Sequence, residues 1–90
     1  MFYQTESKPK CWRAVASLET HRDRLLCLGY SASHVQAEYV PAFMEVLSDE
    51  EREQVRAISL QRWQEIPGEG KWLHFADLDI PETITPRRAA

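Results

Sequence analysis

The apolar positions along this chain divide it into four segments, three with a helical period and one with the period of a strand. In the segment CWRAVASLETHRDRLLCL, residues Cys11, Val15, Leu18, Leu25 and Leu28 fall along one helical stripe, with Gly29 placed as the left-handed residue after the last turn. The polar block Glu19 to Arg24 is its weak point, because Thr20 and Asp23 form a second capping signature at which a new helix could start. Ser33 and Gln36 open the next segment, HVQAEYVPAFMEVL, with Val35, Tyr39, Val40, Phe43, Met44 and Leu47 as buried candidates. Pro41 removes a backbone donor there and disfavours helical dihedrals at Val40, which predicts a kink or two short helices.

Ser48 and Glu51 make a capping box, and Asp49, Glu50 and Glu51 place negative charge at the positive end of the helix that follows. Val55, Ile58, Trp63 and Ile66 continue at helical spacing until Pro67, Gly68 and Gly70. Beyond Gly70 the period becomes two. Trp72, His74, Ala76, Leu78 and Ile80 then share one side of a strand, and Leu73, Phe75, Asp77 and Asp79 the other, with Pro81 ending it.

The fold class this pattern predicts is mainly α: a compact bundle of three to four short helices with a C-terminal extended strand or arm. A small α+β domain results if the strand pairs within the chain. Ninety residues allow one domain, with residues 1–10 as an N-terminal arm and 82–90 as a tail. A single strand leaves its backbone groups without partners, so it requires the N-terminal Met1 to Thr5, a second copy of the chain, or another protein.

Charge narrows the function classes. The net charge is −3, and residues 1–47 carry five basic and five acidic side chains, 48–66 three and five, 67–90 three and four, so no segment is a basic patch. Neutralising several phosphates needs clustered Lys and Arg, and the only adjacent basic pair, Arg87 and Arg88, lies in the tail. Nucleic acid is therefore disfavoured. The apolar run Leu25 to Tyr30 is far below the roughly 20 residues that cross a bilayer. No secretory signal precedes it, and the expected address is cytoplasmic. Cys11 and Cys27, sixteen residues apart in one predicted helix, would stand about 24 Å apart, against a disulfide limit near 7 Å, so both are expected as free thiols.

Candidate chemistry is sparse. The cysteines and His21, His34 and His74 lack the spacing of a metal site, and no cofactor motif is present. Cys27 could approach His34 across the Gly29 turn, but its neighbours Leu25, Leu26 and Leu28 argue for a buried, inert thiol. The stretch Pro67 to Gly70 follows a helix and holds Glu69, so it reads as a turn and not as a phosphate loop. His21 to Val40 has the outline of a helix-turn-helix. Arg24 and Glu38 stand where that motif wants apolar residues, Leu25 where it wants a small one, and SASHVQAEYV has no Lys or Arg. The positive signal is aromatic surplus: Trp12, Trp63 and Trp72, with Tyr30 and Phe75, are a large load for a small bundle, and such residues dominate interface hot spots. The leading expectation is a non-enzymatic accessory or regulatory protein that binds a protein partner or itself. Its candidate interaction residues are Trp63, Trp72, His74, Phe75, Leu78 and Ile80, and the alternative is a helix-turn-helix nucleic-acid binder.

Overall fold

In the computed structural model, residues 10–82 can be described, so most of the expected N-terminal arm and C-terminal tail lies outside the described residues. The chain runs β1 (Trp12–Leu18), β2 (Asp23–Gly29), α1 (Ala32–Val46), α2 (Asp49–Gln54), β3 (Val55–Ile66) and β4 (Glu69–Leu78). The strands form one antiparallel sheet in the order β2-β1-β3-β4. About 49% of the described residues are strand and 29% helix, so the mainly helical bundle is overturned in favour of an α+β arrangement.

Two predicted helices are in fact strands. The expected first helix, Cys11 to Leu28, is the β1-β2 hairpin, and its polar block is the turn. His21 sits in the left-handed region at φ 66°, and Leu18 and Arg22 close the loop by a 2.8 Å backbone bond. Ala14, Val15, Ala16 and Leu18 are buried, and Ala14 and Ala16 enter the core at every second position, a period hidden in the sequence because alanine carries little apolar signal. With β2 in place of a first helix, His21 to Val40 is not a helix-turn-helix. The helix opened by Ser48 also ends early, at Gln54, and Val55–Ile66 continues as β3, with Ile58 and Leu60 buried against the core. Pro67 and Gly68, φ 91°, then form the hairpin turn between β3 and β4, with proline and positive-φ glycine in the order a type II turn requires.

The helical readings that survive have local causes. The Ser48 capping box is present in both directions: Glu51 N–H donates to Ser48 Oγ at 3.2 Å, and Ser48 N–H to Glu51 Oε1 at 3.0 Å. Arg24 of β2 also pairs with Glu51, which ties this short helix to the sheet. Helix α1 starts two residues earlier than expected, with Ser31 in place of Ser33 as its cap, where Ser31 Oγ accepts the N–H of His34 at 3.1 Å. Pro41 does not split it. Pro41 and Ala37 both face solvent, so the carbonyl freed by the proline needs no protein partner, while buried Tyr39 and Phe43 hold the flanking turns to the sheet.

Helix α1 packs on β2 and β1 and covers one face of the sheet. Val35, Tyr39, Phe43 and Leu47 join Ala14, Ala16, Leu26, Ile58 and Leu60 in one core. Gly29 ends β2 and is not the left-handed cap residue expected of it. A Cβ there would lie 2.7 Å from His34 Cδ2 and 2.8 Å from Val35 Cγ2, so its role is to let the start of α1 close on the sheet.

Gly29→Ala is expected to destabilise the fold by about 1–3 kcal/mol, because buried Val35 has nowhere to move; an unchanged denaturation midpoint would refute this. Glu51 is held below the usual carboxylate range, first by the Ser48 backbone bond and then by Arg24, with partial burial opposing. A depressed folded-state value stabilises above the unfolded one and is lost as pH falls through it. The stability gap between wild type and Glu51→Gln should therefore be full at neutral pH and close below about pH 4, the unfolded carboxylate range. Urea titrations across pH read this directly, and a gap that widens in acid contradicts it.

Candidate binding site at the open end of the sheet

The β1 ladder stops where Trp12 meets Arg62, and the β3-β4 hairpin runs on past it. At that end one row crosses all four strands: Gly29 of β2, Trp12 of β1, Arg62 of β3 and Leu73 of β4. Because Trp12 alternates with buried Ala14 and Ala16, this row lies on the α1 side of the sheet. There Trp12 meets Phe75 edge-on, with centroids 5.0 Å apart and planes at 83°, and the Arg62 guanidinium lies 5.6 Å from the Trp12 ring. Beside them Lys10 stands 5.5 Å over Tyr30, which itself lies 6.0 Å from the His34 ring. An open concavity of about 440 Å³ follows the hairpin, lined from both of its faces, by Arg62, Leu73 and Phe75 and by Trp63, Glu65 and His74 among others.

The opposite face of the same end is built from the alternate residues. Arg13 Nε donates to Gln61 Oε1 at 2.7 Å, and its guanidinium covers Trp72 at 4.2 Å. Trp72 meets Trp63, its cross-strand partner, at 5.3 Å. Burial pulls Arg13 below its ordinary value, with Asp23 opposing, and a guanidinium stays cationic through such a shift.

The sequence pattern places His74 and Asp77 on opposite sides of the strand, and this is overturned. Between Leu60 and Gln61 the β3-β4 register shifts, so Phe75 is an extra residue on β4 and the alternation slips by one. Trp72, His74 and Asp77 thus share the open face, while Leu73, Phe75, Ala76 and Leu78 share the α1 face. Ser59, invisible as a candidate in sequence, completes a row with Ser59 Oγ 2.6 Å from His74 Nδ1 and His74 Nε2 3.3 Å from Asp77 Oδ1. The order is that of a serine nucleophile array, but the Asp77 and His74 side chains are 85% and 54% exposed. Water screens both contacts, whereas an orienting carboxylate must be buried to fix its imidazole. The row is a cross-strand polar cluster.

The remaining candidates are dispersed. Cys27 lies on β2 with its thiol 4.0 Å from the Val35 carbonyl, and burial, then Glu38, pushes it above the ordinary thiol value. Cys11 and Cys27 are both free, although the single helix that argued for this is absent. Among the described residues no group of three or more His, Cys, Asp or Glu side chains could hold a metal ion. Nor is any helix among them long and apolar enough to cross a membrane. Of the six candidate interaction residues, Trp63, Trp72, His74 and Phe75 gather at the hairpin. Leu78 sits opposite Ile58 beside the core, and Ile80 is exposed just past β4. Sequence reasoning did not connect Lys10, Arg13 and Arg62 to them; the signal that could have done so is the alternation Ile58, Ser59, Leu60, Gln61 within β3. No family model, curated protein or solved structure matches this chain.

A thiol reagent at neutral pH should label native Cys27 slowly, with unfolding accelerating the reaction at least about tenfold, because only thiolate reacts and burial suppresses it. Cys11→Ser isolates the signal, and equal rates in native and denaturant-unfolded protein would contradict the assignment.

Proposed function

We propose that this chain is a cytoplasmic, non-enzymatic accessory or regulatory protein that binds another protein or a second copy of itself through the outer edge of β4. The observation that carries the reading is the place of β4 in the sheet. It is a ten-residue strand at the end of the order, with β3 as its one ladder neighbour among the described residues. No described residue pairs with its far side, whose backbone donors and acceptors suit an added strand, the mode in which an extended segment gains main-chain bonds and side-chain pockets together. Exposed Leu73, Phe75 and Ile80 supply apolar surface beside that edge.

The edge is also held in place. Tyr39 of α1 donates to the carbonyl of Asp79 at 2.7 Å, fixing the chain just after β4 and lowering the ordering cost of association. Lys71 and the bulge at Phe75 work against indiscriminate pairing, as they do on natural sheet edges, and so favour a selected partner. The opposite edge, β2, is shorter and carries α1 over it.

The test compares Leu73→Lys, a charge set into the β4 edge, with Leu25→Lys on β2; both residues are exposed and both variants should fold. Light scattering and affinity capture from the native host should show association lost in Leu73→Lys and kept in Leu25→Lys. Identical behaviour of both variants and wild type would remove the reading.

A further inference from the structure

We infer that the aromatic and basic strip on the α1 side of the sheet's open end binds single-stranded nucleic acid, a second activity at a surface next to the β4 edge. Two observations converge on it. The first is a strip of rings and cations: Tyr30 with Lys10, then Trp12 with Arg62, then Phe75. Phe75 is 58% exposed and Tyr30 49%, so each offers a ring to a nucleobase, and every base has a π-face whatever its sequence. Arg62 and Lys10 stand beside the rings, where a strand stacked on them would carry its phosphates.

The second observation is charge polarity. Lys10, Arg13, Arg62 and Lys71 converge at this end against Glu65 and Glu69, whereas the other described residues carry four basic and eleven acidic side chains. An anionic ligand is therefore drawn to one end of the molecule and repelled from the rest. The four cations come from three separate stretches of sequence, which is why no basic patch is visible along the chain. The width of the strip suits a single strand: the rings span the end of a four-stranded sheet, and α1, the long helix among the described residues, starts here but runs back over β2 toward Arg24, so it does not project outward to enter a duplex groove. An acidic protein segment would answer the charge but leaves the exposed rings unused.

Titrating the full chain with a thymidine oligodeoxynucleotide, a uridine oligoribonucleotide and polyglutamate, while following tryptophan emission, tests this. Both oligonucleotides should quench emission at low salt, with half-saturation below about 0.1 mM. The affinity should fall with salt at a log–log slope of about −1.4, as two phosphate contacts, at Lys10 and Arg62, on a single strand require. A tighter uridine or thymidine arm identifies RNA or DNA as the preferred ligand. Phe75→Ala should weaken both by about tenfold through lost stacking, and Arg62→Gln should reduce the slope by about 0.7. Glu50→Gln, at the acidic end, should change neither. Ile80→Lys, a charge beside the β4 edge and away from the strip, should bind oligonucleotide as wild type does while weakening partner association, so failure of this inference and failure of the edge reading are distinguishable. Absence of quenching by both oligonucleotides, or polyglutamate matching them with the same response to Phe75→Ala, would overturn the inference. Circular dichroism of each variant shows that the fold is kept.

Discussion

The structure depends on β1 being hydrogen-bonded along both of its edges. Trp12–Leu18 pairs with β2 on one side and β3 on the other, and its Ala14 and Ala16 lie fully buried under α1. A strand in the middle of a sheet can leave no backbone group unpaired, so its second edge demands a partner. Val55–Ile66 is recruited to meet that demand, although its spacing of Val55, Ile58, Trp63 and Ile66 suits a helix as well. Tertiary pairing decides between two periods that the residues tolerate about equally. Small alanines at the centre then admit the bulk of Phe43 and Val35 from the covering helix.

One extra residue in β4 decides what the surface can do. The register shift at Phe75 turns that ring to the α1 side, next to Trp12, and sends His74 and Asp77 together to the opposite face. Without it the alternation would have set Phe75 with Asp77, and neither the ring pair nor the Ser59–His74–Asp77 row could form. A similar shift in the β1-β2 ladder leaves Leu26 and Cys27 both directed toward α1, which accounts for a thiol held among apolar neighbours. Bulges are common where a strand must re-aim side chains. Here the β4 bulge separates an apolar, aromatic side from a polar one at the hairpin.

Aromatic rings and cations at the open end belong to both faces, and they draw on β1, β3 and β4, with Tyr30 just past β2. Arg13 reaches Trp72 from β1 to β4, and Arg62 reaches Trp12 from β3 to β1. Such cross-strand pairs stabilise a hairpin that runs beyond its neighbours, each by an amount of order 0.5–1 kcal/mol at exposed positions. They also explain how a chain of net acidic charge presents one basic end.

Local signals were legible in the sequence, and relations between distant segments were not. The Ser48 and Glu51 box, the buried Val35, Tyr39, Phe43 and Leu47, the extended character of residues 71–78 and the stop at Pro67 and Gly68 follow from neighbours within about four positions, whose geometry the backbone itself sets. Of the binding end, the aromatic surplus could be read, but not its arrangement. The strand identity of Trp12–Leu18, Asp23–Gly29 and Val55–Ile66 could not be read, since Ala, Leu, Gln and Arg favour helix in isolation and become strand only when a second strand supplies their missing hydrogen bonds. The meeting of Lys10, Arg13 and Arg62 with Trp12, Trp72 and Phe75 likewise arises from strand order and register, which are properties of the sheet as a whole and of no single segment.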